Sequence, residues 1–452
     1  MKVQHVSLIA SEGAKKAKRY GLTPELLAAT GARYSRSNEG LDTIVSKIDW
    51  KNTDKSVDGI FRMVDYGHAS IADMAPVAMF IDGLSLFATH FLWAQCYTAS
   101  GQESSTRYIT MDLSGVKTAK ELGIKNEKAY EKHIKEAFIH YEKATKIWTG
   151  LAKKNPSIMR IPKEVAEDMS ERGIKKLERM RKNFALDRAR IFLPLTLKKN
   201  AMLIMSARSW VEIISTLLSH PLTEFRDLGE KLKEQLELVT PRLIRHAVYK
   251  EDVAMILKHN LERTQASKLP KCKDDGAFFN MYEKKYTSLS SALESRVNRY
   301  SPCGDEVRKV PVNFGFKKIT FAELHDLNRH RTGQKMSTFK PNDFYDTLDQ
   351  APDKKTASEL KKLSKYGQKT LLTAQKMLEK GDPAYFYFTL VGHTYEFEHT
   401  TTLDKFIYEA ELRTGVGAHY RYAQHLRNTL KILYKLHPEV KGLIKEGGAE
   451  PE

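Results

Sequence analysis

The sequence predicts an α+β chain made of two tandem, helix-rich units. Three observations carry this. The chain has 452 residues, 41% hydrophobic and 10% aromatic, enough apolar material for cores in two large domains. Short strand-like runs alternate with long amphipathic helices. The order strand, helix, charged helix, apolar segment, closing helix occurs once before residue 255 and again after it. We read this as a diverged internal duplication of about 200 residues per repeat, with the chain divided into units 1–255 and 256–452.

In the first unit, GLTPELLAATGARYS reads as a helix followed by a small-residue turn, and MAPVAMFIDGLS as a strand ending at Gly83. The spacing of Leu86, His90, Trp93 and Tyr97 predicts a helix. Residues 124–184 are charged and helix-rich, and NEKAYEKHIKEAFIHYEKATKIWTGLAKK is amphipathic. The chain then turns apolar, punctuated by Pro194, and closes with a helix stopped near Pro241. In the second unit, alternating Val and Phe in VRKVPVNFGF predict β structure before a helix-like segment. TASELKKLSKYGQKTLLTAQKMLEKGD is the charged helix, YFYFTLVGHTYEFEHTTTLDKFIYEAELRT the apolar segment, and GAHYRYAQHLRNTLKILYKL the closing helix.

The formal net charge is +18. It fits anionic partners, whether small phosphates or nucleic acid. Because the lysines spread along helical stretches instead of massing in a tail, nucleic acid is not the favoured partner. There is no run of about 18 apolar residues, so no membrane span is expected. The apolar core near the N-terminus is too short for a secretory signal, which predicts a cytoplasmic protein. Cys96, Cys272 and Cys303 are odd in number and far apart, and no HExxH-type spacing occurs, so neither disulfides nor a metal are expected. No GxGxxG or P-loop run is present.

The stretch TASGQESSTRY (98–108) sets Glu103, Ser105 and Arg107 at alternate positions. If extended, they share one side. A guanidinium beside a hydroxyl grips phosphate, while the carboxylate must address a sugar or base donor. That combination suits a nucleotide; an ordinary surface loop with a Glu–Arg pair has the same composition.

Residues 95–108 resemble the signature of the flavin-dependent thymidylate synthases, Arg-His-Arg-x-x-Ser-x-Asn-Glu-x-Ser-x-Arg-Tyr. They match it at Ser100, Glu103, Ser105, Arg107 and Tyr108; Gln102 replaces the Asn, and Gln95, Cys96 and Tyr97 replace the Arg-His-Arg. YGHASIAD resembles the family's flavin-approaching Gly-His-x-Ser, through His68 and Ser70. GARYS, ARIFLP with Arg190, and SARS with Arg208 resemble further family segments in the family's order. The family's pyrimidine-facing Leu-Arg is lost here, where Leu217 stands. In the second unit LNRHRTG restores Arg329, His330 and Arg331, RYSP offers Ser301, and EAELRT restores the pair as Leu412 and Arg413.

The resemblance implies an antiparallel sheet at the heart of each helix-rich unit, and reductive methylation of dUMP to dTMP with FAD, NADPH and methylenetetrahydrofolate. It implies that Arg413 is catalytic, and that Glu103, Ser105, Arg107 and Arg190 bind substrate. His68, Ser70, Arg208, Ser301, Arg329, His330 and Arg331 would bind the cofactor. The halves keep complementary pieces, so one composite site would be built from both. The family is tetrameric, so a homodimer of this chain would form a pseudo-tetramer. Two other readings stand beside this one: a flavoenzyme acting on another pyrimidine nucleotide, and an inactive protein that binds nucleotide or nucleic acid.

Overall fold

The computed structural model describes residues 1–6, 21–35, 37, 41–65, 69–95, 100–107, 111–159, 161, 163–282, 289–415 and 418–447. The first repeat contributes β1 (Lys2–Val6), α1 (Pro24–Tyr34), β2 (Pro76–Ser85), α2 (Leu86–Gln95), β3 (Ser100–Glu103), α3 (Glu127–Lys154), α4 (Glu171–Ala189), β4 (Lys198–Ser206), α5 (Ala207–Leu218) and α6 (Thr223–Glu237). The second contributes β5 (Phe278–Met281), β6 (Pro311–Thr320), α7 (Phe321–Asn328), β7 (Gln334–Ser337), β8 (Asp343–Phe344), α8 (Lys354–Glu379), β9 (His393–Thr402), α9 (Leu403–Arg413) and α10 (Tyr420–Leu436).

The duplication is legible strand by strand. One sheet runs β1-β2-β4-β3; the other runs β5-β6-β9-β7, with β8 added on β9. All pairings are antiparallel. Pro76 opposite Ser206 begins one central pair, and Pro311 opposite Thr402 the other. The register slips between Ile81 and Leu84 in one, and between Phe316 and Ile319 in the other. β2 therefore continues to Ser85, past the Gly83 at which the sequence predicts its end. Gly83 has φ +73°, which suits a bulge inside a strand.

The helices follow from their spacing and caps. Asn126 caps α3, accepting from Ala129 N, and Tyr130, His133, Ile134, Ala137 and Phe138 lie on its buried face. Asp353 caps α8, accepting from Thr356 N. Thr320 and Glu323 form a capping box at the start of α7.

The compact units do not follow the repeat boundary. Unit 1 comprises Met1–Thr110, Gly115–Lys125 and Thr196–Asn260; unit 2 comprises Met111–Ser114, Asn126–Leu195 and Leu261–Glu452. The first repeat's long helices thus belong to unit 2 and not to the 1–255 unit expected from the repeat. Apolar packing explains this. Ala137, Ala144, Ala189, Ile191 and Phe192 form one buried cluster with Phe344, Tyr366 and Leu390 of the second repeat. The Tyr366 hydroxyl donates to His133 O at 2.8 Å. Below the cluster, Pro194 bridges Leu390 in antiparallel pairing. Leu195 N donates to Thr389 O, and Val391 N to Leu193 O. Counted back from Ala207 and Leu403, the first residues of α5 and α9, Pro194 and Leu390 are the same position in the two repeats.

In unit 1, Glu224 on α6 is buried and ties down the start of α2. It accepts from Ser85 N at 2.9 Å and Ser85 Oγ at 2.8 Å. Arg242 ties the N-terminal helices to the same unit through Glu25, Asp54 and Asp58.

Candidate functional site

α7 and α9 deliver the second repeat's motif residues to one place in unit 2. The capping box starts α7, and Arg329 ends it as its C-cap. Asp326 and Arg329 lie three apart on one face, with Arg329 Nη2 3.4 Å from Asp326 Oδ1. Burial pushes the Asp326 carboxyl up, but Arg329, then Arg190 and Arg413, outweigh it and hold it down at about 2. A first-repeat arginine and two second-repeat arginines thus act on one carboxylate inside one compact unit.

Arg190 comes from the short 3-10 turn Arg190–Phe192, directly after α4. Its side chain is 12% exposed, with Nε 3.9 Å from Asp187 Oδ1. That Nε has no hydrogen-bond partner among the described residues. A nearly buried guanidinium with an unsatisfied donor fits an anionic ligand.

His330 does not join the arginines as a third cation. Arg413 Nε donates to His330 Nε2 at 2.8 Å, so the imidazole is an acceptor. Burial, then Arg413, Lys335, His399 and Arg329, push its pKa well below the ordinary value. His330 is neutral and faces Arg413. Arg331 is exposed.

Behind Arg413 lies a buried polar layer that motif reading missed. The guanidinium stands over the Tyr422 ring at 5.4 Å. The Tyr422 hydroxyl donates to Glu409 Oε1 at 3.1 Å. Glu409 Oε2 is 3.5 Å from His399 Nδ1, and His399 Nε2 donates to Thr332 O at 2.6 Å. Lys335 Nζ donates to His330 O and Thr332 O. Burial raises the Glu409 carboxyl to about 7, against the opposing pull of Lys335 and Arg413. Burial lowers His399 to about 3, reinforced by Lys335. The available signal was the four-residue spacing of Glu409 and Arg413, which puts both on one helical face.

The remaining expected residues have surroundings of their own. Ser301 sits in a turn, its Oγ accepting from Asn298 N at 3.2 Å and its carbonyl from Arg296 Nε. Arg296 in turn grips Glu411 of α9 at 2.8 and 2.7 Å. In unit 1, β3 ends at Glu103 and the chain turns at 106–107, so the extended alternation does not hold. The Glu103 side chain is buried, accepting from Trp93 Nε1 at 2.9 Å and Lys199 Nζ at 3.0 Å. Ser105 Oγ accepts from Arg107 N at 3.2 Å. Ser70 is exposed in the 3-10 helix Ala69–Met74. Arg208 is half-exposed between Asp73 and Glu212. His68 lies outside the described residues.

A second polar cluster surrounds Glu323, at the opposite end of α7. It accepts from Thr320 N, and Arg421 and His425 lie against it at 3.3 and 3.4 Å. Arg421 stacks on Tyr345 at 3.6 Å, and His425 Nδ1 is 2.7 Å from Asp275 Oδ2. Asp275, Tyr345, Arg421 and His425 line a polar cleft of about 600 Å³.

Comparison with known proteins agrees with the motifs. A family model described as thymidylate synthase complementing protein matches residues 19–242. Over this segment, just under half of the chain, the sequence matches that family. UPF0159 protein Ta1429 of Thermoplasma acidophilum is 22% identical over 470 aligned positions, covering 92% of this chain and 93% of that protein. Among solved structures, the UMP/dUMP methylase PolB from Streptomyces cacaoi, bound with 5-Br dUMP, aligns at 16% identity. That alignment covers 54% of this chain and 93% of the other, with TM-score 0.32. The flavin-dependent thymidylate synthase ThyX of Helicobacter pylori, complexed with FAD and dUMP, aligns at 18% identity over 55% of this chain and all of the other, with TM-score 0.31. No helix among the described residues is long and apolar enough to cross a membrane.

Proposed function

We propose that this chain acts as a member of the thymidylate synthase complementing protein family and methylates dUMP to dTMP at a composite site made from both sequence repeats. The observation that carries the reading is that Asp326, ion-paired with Arg329 at 3.4 Å, also lies in the field of Arg190 from the first repeat and Arg413 from the second. An anionic nucleotide would bring the three guanidiniums a partner of matching charge. Arg190, its Nε buried beside Asp187 at 3.9 Å, would meet the phosphate with its terminal nitrogens. Arg413, held at Nε by His330, turns its terminal nitrogens to the pyrimidine.

The exposed Arg331, with Arg329, fits the anionic diphosphate of FAD, and we assign Ser301, Ser70, His68 and Arg208 to the same cofactor on their motifs. Bound and reduced by NADPH, FAD would supply the hydride, with methylenetetrahydrofolate as the carbon donor. The chain's own part is to place charge and exclude water. Ser105 and Arg107 are assigned to the nucleotide by motif. Glu103 is already held by Trp93 and Lys199, which favours a second reading: action on a pyrimidine nucleotide whose sugar contact differs from that of dUMP. Two copies of the chain would close symmetrically as a dimer in the cytoplasm.

The deciding experiment is to measure FAD uptake by visible absorbance, then tritium release from 5-tritiated dUMP with methylenetetrahydrofolate and NADPH. A yellow protein that releases tritium supports the reading. Flavin binding without release from dUMP, but with turnover of another pyrimidine nucleotide, supports the second. A protein that binds no flavin overturns both and leaves the inactive-binder reading.

A further inference from the structure

The duplication supplies an internal control for the polar layer behind Arg413. Counted from Ala207 and Leu403, Ile213 occupies the position of Glu409, and Leu217 that of Arg413. On the sheets, Gly101 pairs with Leu203 where Lys335 pairs with His399. Counted from Leu86 and Phe321, Gln95 stands where His330 does. One repeat therefore builds the same β-α-β frame with apolar residues or glycine at the positions where the other sets a buried acid, a half-buried amine and a buried imidazole.

Burying such groups is costly unless each is paired, and replacing a buried ionic cluster with apolar residues is often neutral or stabilising. The fold does not require the cluster, since its twin lacks it. What it does is aim Arg413. His330 fixes the guanidinium at Nε, Tyr422 lies beneath it, Glu409 holds the Tyr422 hydroxyl, and Lys335 anchors the backbone carrying His330.

We propose that His330, Lys335, His399, Glu409 and Tyr422 form a buried positioning network that presents Arg413 to its ligand, with His330 acting as a neutral acceptor and not as a flavin-facing cation. The proposal rests on the reading of Arg413 as the nucleotide-facing residue. The groups facing His330 are Arg413, Lys335, His399 and Arg329; those facing Glu409 are Lys335, Arg413, His399 and Tyr422. With three cations around it, His330 stays unprotonated through the neutral range, so Arg413 stays held.

The test gives the second repeat the first repeat's residues: Lys335→Gly, His399→Leu and Glu409→Ile together. The expected variant is folded, with an unchanged circular dichroism spectrum and an undiminished Tm. In ¹⁵N spectra the Arg413 Nε–H signal loses its protection from exchange, and affinity for dUMP by calorimetry falls about tenfold, the scale of one charge-assisted hydrogen bond. Separately, His330→Leu should lose the Arg413 signal and dUMP affinity alike, while His330→Gln, which keeps an acceptor, should retain most of both. An Arg413 signal and dUMP affinity unmoved in the triple variant and in His330→Leu overturn the network. A triple variant that unfolds, with His330→Leu indistinguishable from wild type, assigns the cluster to stability and also overturns it. If the wild-type protein binds no dUMP, the functional reading fails, and the Arg413 signal alone decides the network.

Discussion

Pro194 and Leu390 bridge one another in antiparallel register and hold the same position in the two repeats. The hydrogen bonds on either side are reciprocal: Leu195 to Thr389, and Val391 to Leu193. Equivalent residues that pair with each other are the mark of a local two-fold relation, as in an isologous subunit contact. Here that contact is internal to unit 2, and it sets Arg190 four residues before the bridge, on the same chain segment that reaches the second repeat's arginines.

The seam tolerates no added bulk. A Cβ on Gly392 would meet Ile191 Cβ and Phe344 Cε2 at 2.8 Å, and one on Gly367 would meet the Phe344 ring at 2.3 Å. We expect Gly392→Ala to destabilise the protein by about 1–3 kcal/mol through overpacking. Urea titration checks this; an unchanged midpoint means that the seam can yield.

Asp326 is ion-paired with Arg329 and lies in the field of Arg190 and Arg413. Asp326→Asn should lower the Tm and make it more responsive to added phosphate than that of the wild type. Thermal shift against phosphate concentration measures this, and parallel curves for the two proteins refute it.

Acid should unfold unit 2 through its buried imidazoles. Burial lowers His133 and His399 to about 3, and His393 and His419 to about 4, from an ordinary 6.5. The unfolded chain binds more protons below 6.5, so stability is complete above that pH and is lost as pH falls towards the folded values. Each histidine contributes a loss of about 1.4 kcal/mol per pH unit in that window. Urea midpoints at pH 8, 6.5 and 5.5 should be nearly equal for the first two and clearly lower for the last. A midpoint at pH 5.5 equal to that at pH 8 contradicts the burial of neutral imidazoles.

Arg107→Ala should weaken dUMP binding by about tenfold, if the motif assignment of Ser105 and Arg107 holds, by removal of one charge-assisted contact. Calorimetry of the variant beside wild type decides it; equal affinities remove both residues from the phosphate site.

Much of this was readable in advance where the signal is local. The long helices α3 and α8 declare themselves by apolar spacing, and the repeat by the order of its elements. The central strands β4 and β9 do not. In β4, Lys199 looks solvent-facing yet is buried against Glu103, so the alternation that would mark a strand is broken by an ion pair formed at a distance. The order of elements in the repeats was legible, but the compact units were not, because α3 and α4 bury their apolar faces against the second repeat. At the site, Arg329 and Arg413 stood in motifs. Asp326, Glu409 and Lys335 stood in none, since their roles arise only where α7, α9 and β7 come together.

The most direct test of a site shared by the two repeats is a double-mutant cycle on dUMP affinity, with Arg190→Ala, Arg413→Ala and both together. Arg190 and Arg413 belong to different repeats but act on the same carboxylate. The account predicts that each single variant weakens binding at least tenfold, and that the double variant loses less than the two losses combined, because the arginines share one ligand. Single variants that bind dUMP as tightly as wild type, or losses that simply add, would contradict it.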